Sequence, residues 1–215
     1  MPSSKRSLVG CKTRCKSQFC QDCALAHCVK WREALRPALS CWTSVIMLTL
    51  TVDPANYETP EAAYLDVGKR RAVSKLIAKL LRRKMIRSKE FTCTIEFHKS
   101  GWPHYHVLVD SSFVEKHELQ KCWGLGHCWF SRHKFKTIAH AINYATKYIS
   151  KTSKDDENEF WFPDWVLDFK GNMRRFSVSR EISSRIRGGK PSKRKKTDGK
   201  KRGRVRKSGR QRSEL

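Results

Sequence analysis

The chain has 215 residues with 46 Lys and Arg against 20 Asp and Glu, a formal charge of +26 and a pI near 10.1. That balance lies far outside the range of a neutral enzyme and implies a polyanionic partner, nucleic acid before an acidic membrane surface. Seven Trp and ten Phe exclude disorder over most of the length. No run reaches the roughly 18 apolar residues of a membrane span, and Met1 to Gly10 lacks the apolar core of a secretory signal. The expectation is a cytoplasmic protein with no membrane partner.

Five of nine cysteines crowd the first 28 residues, spaced Cys-x3-Cys-x4-Cys-x2-Cys-x3-His-Cys. In a reducing compartment such clustering points to metal rather than disulfides. Cys11, Cys15, Cys20 and Cys23 form the preferred tetrahedral Zn2+ set, with His27 or Cys28 able to replace a member. Leu25, Cys28, Trp31 and Leu35 recur at helical spacing over 20 to 36, and Pro37 is expected to stop that helix.

Val45 to Val52 reads as a strand, closed by Asp53-Pro54. Thr59 is a helix cap with Pro60 at the first helical position, opening a long helix to about Met85 with Gly68 as a possible break. Its outer face carries Arg70, Arg71, Lys75, Lys79, Arg82 and Arg83, nearly all of one sign, which suits backbone phosphates.

Phe91 to Phe97 alternates, and Ser100-Gly101-Trp102-Pro103 supplies turn chemistry before His104-Tyr105-His106 and an apolar run, so a β-hairpin is expected. The two-residue period puts both imidazoles on one face. Antiparallel pairing about Gly101 brings Glu96 across to them, so His104, His106 and Glu96 form a candidate metal site, with His98 an alternative ligand.

Phe113 to Trp123 reads as a helix and His127 to Phe135 as a strand; Cys122, His127, Cys128 and His133 suggest a second metal site, but their irregular spacing favours ordinary structural roles. Thr137 to Lys151 is a helix with Thr137 as cap. Tyr144 and Tyr148, four apart, share a face, and Lys147 and Lys151 each follow a tyrosine by three. Taken alone, such a pair suits a core as well as a catalyst. Met173 to Ile182 supplies a last short element. Residues 186–215 hold fourteen Lys or Arg against Asp198 and Glu214, a net +12 that leaves +14 on the rest. This tail is expected to be disordered and to bind nucleic acid without sequence preference.

Three features now stand in order: Leu48-Thr49-Leu50-Thr51, His104-Tyr105-His106 preceded by Glu96, and Tyr144-x-x-Lys147-Tyr148-x-x-Lys151. Together they resemble the HUH endonuclease superfamily, in particular rolling-circle replication initiator (Rep) proteins of plasmids and single-stranded DNA phages. The resemblance implies a tyrosine that attacks single-stranded DNA at an origin, leaving a 5′-phosphotyrosine link and a free 3′-OH. It implies Mg2+ or Mn2+ on His104, His106 and Glu96, and Tyr148 slightly ahead of Tyr144 as nucleophile, with Lys147 or Lys151 near the phosphate. It also implies origin duplex and a host helicase and polymerase as partners, in a bacterial or archaeal cytoplasm.

The expected fold is α+β, an antiparallel sheet of about five strands with flanking helices. Residues 1–36 form a Cys-rich zinc segment with its helix, 37–185 the nuclease domain and 186–215 the basic tail. Two other readings stand beside it: a transposase or relaxase of the same superfamily, and a non-enzymatic zinc-containing nucleic-acid binder with the tyrosines in its core.

Overall fold

The computed structural model describes residues 19–131, 135–150, 153–154, 160–169 and 173–188. In chain order these form α1 (Gln21–Ala38), β1 (Ile46–Thr51), α2 (Pro60–Lys69), α3 (Ala72–Arg82), β2 (Phe91–Phe97), β3 (Pro103–Val109), α4 (Lys116–Trp123), β4 (Cys128–Ser131) and α5 (Ile138–Ser150). A two-strand ribbon of β5 (Ser153–Lys154) and β6 (Phe160–Trp161), then α6 (Asp164–Leu167), β7 (Phe176–Val178) and α7 (Arg180–Ile186) complete the described residues. The fold is α+β. Its main sheet has five strands in the order β4-β1-β3-β2-β7, every neighbouring pair antiparallel.

Strand alternation divides the chemistry between two faces. On one face Leu48, Leu50, Cys93, Ile95, Tyr105, Val107 and Val109 meet Ala63 and Val67 of α2 and Leu76, Ile77 and Leu80 of α3. On the other, Met47, Leu108 and Phe176 meet Leu35 and Leu39 near the end of α1, Ile142 and Ile149 of α5, and Ile182 of α7. Each fully buried leucine or isoleucine contributes on the order of 1.5–3 kcal/mol, so both helical layers are strongly anchored. The β2–β3 hairpin turns through Gly101, whose φ of 85° falls in the left-handed region.

Several boundaries differ from expectation, each for a local reason. Pro37 lies inside α1, which continues to Ala38: proline removes one amide donor, but Leu39 N still bonds Leu35 O at 2.9 Å. Leu25 is exposed rather than part of the buried stripe. The long basic helix is two helices, broken at Arg71 (φ 52°, ψ 44°) rather than at Gly68. On one unbroken helix Leu76 would lie about 180° around the axis from Val67, so both could not reach the sheet; the break resets the phase.

The caps at Thr59, which accepts from Ala62 N at 3.1 Å, and at Thr137, which accepts from His140 N at 3.1 Å, are where the sequence puts them. Helix α4 begins at Lys116 rather than Phe113 because Glu115 takes the capping role, accepting from His117 N and Glu118 N. Among the described residues no helix is long and apolar enough to cross a membrane. The expected tail lies, from residue 189 on, outside the described residues, as do Cys11, Cys15, His133 and Lys151.

Candidate active site

β3 is the middle strand of the sheet, and its polar residues face α5. His106 stands opposite Thr49 of β1 and Thr94 of β2; His104 stands opposite Thr51 and Glu96. The hairpin register therefore sets Glu96 and both histidines on one face. His106 Nε2 and Glu96 Oε2 are 2.8 Å apart, while His106 Nδ1 is 3.3 Å from Thr49 Oγ1. Both histidine ring nitrogens are thus engaged. The ring of His98 lies 5.5 Å from that of His104, and Ser100 Oγ sits 3.0 Å from His98 Nδ1.

Helix α5 crosses this face because Ala141, Ile142, Ala145 and Ile149 are buried against it. Thr94 Oγ1 donates to Ala145 O at 3.3 Å, and from α1 Arg32 Nε donates to Thr146 Oγ1 at 2.9 Å and Cys28 Sγ to Thr146 O at 3.2 Å. So held, the helix lays the Tyr148 ring flat on His106, with centroids 3.9 Å apart and planes within 16°. Tyr148 Oη donates to Tyr144 Oη at 3.0 Å. The histidine pair and the tyrosine pair are one cluster.

Electrostatics follow from burial. Tyr148, 8 % exposed, has its phenol pushed above the ordinary tyrosine value, first by burial and then by its bond to Tyr144 and the charges of Tyr144 and Glu96. Burial, then His98 and His106, lowers the pKa of His104, against a smaller pull from Glu96. His104 therefore stays neutral near pH 7 and keeps a lone pair for a ligand.

Two residues of this cluster had no assigned role in the sequence. Thr49 bonds the histidine from the neighbouring strand. Arg175, just before β7 and only 1 % exposed, donates from Nη1 to Ile149 O at 2.8 Å and from Nη2 to Tyr148 O at 2.7 Å. It closes the end of the tyrosine helix, where carbonyls lack intrahelical partners. Burial lowers its pKa to about 10, with Glu96 opposing, and Phe162 lies under its guanidinium at 4.7 Å. Its signal was an arginine set between Met173 and Phe176.

The remaining candidates fall elsewhere. Lys147 is exposed on α5. Arg70, Arg71, Lys75, Lys79, Arg82 and Arg83 sit on α2, α3 and the turns beside them, on the opposite side of the sheet from the tyrosines. Three of them are engaged by the fold: Arg70 Nε with Asp66 Oδ1 at 2.6 Å, Lys79 Nζ with Cys122 O at 2.8 Å, and Arg83 with Glu118. Arg71, Lys75 and Arg82 make no ion pair among the described residues. Of the cysteine set, Cys20 caps α1 and Cys23 is buried. No group of three or more His, Cys, Asp or Glu is gathered as a metal cage among the described residues. Imidazole nitrogen and carboxylate oxygen are donor types that a divalent cation takes. Here His106 Nε2 and Glu96 Oε2 meet directly at 2.8 Å, an N–H donating to a carboxylate, and the Thr49 hydroxyl can donate to or accept from Nδ1, so it can serve either tautomer of His106.

A family model supplies the class, that of a replication-associated protein. Described as replication-associated protein ORF2/G2P, it matches residues 45–153, from the residue before β1 to the first residue of β5. This is just over half of the chain, which belongs to the replication-associated protein ORF2/G2P family. No curated protein and no solved structure matches it.

Proposed function

We propose that this is a replication initiator of the HUH type that nicks and rejoins single-stranded DNA through a tyrosine nucleophile. The observation that carries the reading is the stacking of Tyr148 on His106 beside Glu96, with Tyr144 hydrogen-bonded to Tyr148. Family membership supports a role in replication and DNA as the partner.

In the proposed reaction Tyr148 Oη attacks a backbone phosphorus and the P–O3′ bond breaks. The phenol loses its proton and the 3′ oxygen takes one up. A 5′-phosphotyrosyl link and a free 3′-OH result, and reversal by a 3′-OH rejoins the strand without ATP. Tyr144, one helical turn away, would receive the strand in a second transfer. A phenol is a weak nucleophile near neutral pH, and here burial raises its pKa further. A bound Mg2+ or Mn2+, on His104, His106 and Glu96, would supply charge stabilisation at the phosphate. Thr49 orients His106, and Arg175 fixes the end of α5 so that both phenols stay over the strand. Zn2+ on Cys11, Cys15, Cys20 and Cys23 is proposed to order the N-terminal segment, and a host helicase and polymerase would complete replication. Lys147 and Lys151 would neutralise phosphate near the tyrosines.

The test is to incubate the protein with a diverse pool of labelled single-stranded oligonucleotides and Mg2+ or Mn2+. A denaturant-resistant adduct that chelation suppresses and Tyr144→Phe/Tyr148→Phe abolishes is expected. No adduct in any pool would favour a non-enzymatic nucleic-acid binder.

A further inference from the structure

The face that carries His106 extends past β1 to the edge strand β4. Thr49 pairs with His106 on one side and with Trp129 on the other, so Trp129, Thr49 and His106 form one row across three strands. Paired residues of an antiparallel sheet point to the same side, which puts the Trp129 indole on the side of the tyrosines. Its neighbours Cys128 and Phe130 turn the other way, into the layer shared with α2 and α3. Trp129 is 46 % exposed and makes no hydrogen bond or ring contact among the described residues. A bare tryptophan on a sheet edge is a liability unless something covers it.

Helix α5 leads from the reacting phenols to this same edge. Its last turn is closed by Arg175, beside β7, and it begins at Ile138, shortly after β4 ends at Ser131, so it crosses the sheet from one edge strand toward the other. At its β4 end Phe135 meets Tyr144 edge-on with ring centroids 5.4 Å apart, and Tyr144 meets Tyr148 at 5.5 Å before the stack on His106. Aromatic surface therefore runs from the histidine strand toward β4, with the exposed Lys136 beside it. Two strand spacings set Trp129 about 10 Å from His106, the length of about three nucleotides of a stacked strand.

We infer that Trp129 is the stacking platform for one unpaired base of single-stranded DNA, a few nucleotides from the phosphate that Tyr148 attacks. The inference rests on the strand-transfer reading for its substrate and adds where that substrate is gripped. Every base has a π-face, so the indole fixes the position of the strand without selecting its sequence. A duplex, whose bases are stacked on one another, cannot use it.

The experiment is an anisotropy titration of a labelled oligothymidylate with the full chain carrying Tyr144→Phe/Tyr148→Phe. Chelator and high salt keep cleavage and the basic tail from setting the reading. Adding Trp129→Ala should weaken binding about 5–100-fold, with the slope against salt unchanged because a stacked base neutralises no phosphate. Trp129→Phe should restore most of the affinity, and a duplex of equal length should not respond to either change. The urea midpoint should stay in place, since the indole is exposed. No binding by the parent, equal affinity in Trp129→Ala, a Phe variant as weak as the Ala variant, an equal loss with duplex, or a fall in urea midpoint that tracks the lost affinity would overturn the inference. Because both tyrosines are already removed, such a failure leaves the strand-transfer reading untouched. Conversely, Trp129-dependent binding without any adduct from the parent chain would overturn that reading and keep Trp129 as the base platform of a binder.

Discussion

At the scale of single residues, the cluster depends on hydroxyls as much as on imidazoles. The Tyr148 phenol is held protonated by burial and by the bond it donates to Tyr144. Tyr144→Phe removes the second cause and leaves the first. The Tyr148 phenol should therefore ionise at lower pH than in the parent, yet still above the free tyrosine value, as read by 13C NMR of labelled tyrosine. The sign also bears on stability: a raised phenol pKa leaves stability intact below about pH 10 and erodes it as pH rises further. The parent should accordingly lose stability at high alkaline pH more steeply than Tyr148→Phe, measured by urea denaturation. Thr49 is a positioning residue for His106. Thr49→Val should slow metal-supported nicking by about 10–100-fold, while Thr49→Ser retains most of the rate.

At the scale of elements, the tyrosine helix is held in place by α1 on one side and by Arg175 at its end. Arg175→Met leaves the Tyr148 and Ile149 carbonyls without that donor in a buried setting. The expected loss is about 2–4 kcal/mol, seen as a lower urea midpoint. Gly126 marks the close approach of the loop after α4 to the end of β1, where an added Cβ would stand 2.6 Å from Thr51 O. Gly126→Ala should cost about 1–3 kcal/mol by forcing that backbone apart.

These same elements show what the sequence made legible. The hairpin, its register and the shared face of Glu96, His104 and His106 follow from a two-residue period and a glycine turn, both local. The tyrosine face and the threonine caps follow from helical spacing. Arg175 was not legible, because its partners lie 26 and 27 residues earlier and only packing brings them together. The existence of a break was legible in the phase, since Val67 and Leu76 fall on opposite sides of one unbroken helix; its place at Arg71 was not, because arginine is not a residue that marks a left-handed position.

At the scale of the whole molecule, charge and chemistry are divided between layers. The tyrosines and histidines occupy one face of the sheet, and the basic α2–α3 region the other. Residues 186–215 carry +12 of the total +26 by sequence. Deleting 189–215 should weaken binding to single-stranded DNA of any sequence and flatten its salt dependence by about 0.7 for each phosphate no longer neutralised, measured by anisotropy across a salt series. Cleavage chemistry at saturating DNA should be little changed, since the cluster around His106 lies within residues 45–153 apart from Arg175.

The central claim is that Tyr148, stacked on the histidine strand, is the group that takes the DNA. The most direct measurement is mass spectrometry of the protease-digested covalent adduct formed with single-stranded DNA and Mn2+. A nucleotide linked by a 5′-phosphate to the peptide containing Tyr148 is expected, with Tyr144 labelled when a second transfer is allowed. A nucleotide on any other residue, or an adduct of unchanged yield in Tyr144→Phe/Tyr148→Phe, would contradict it.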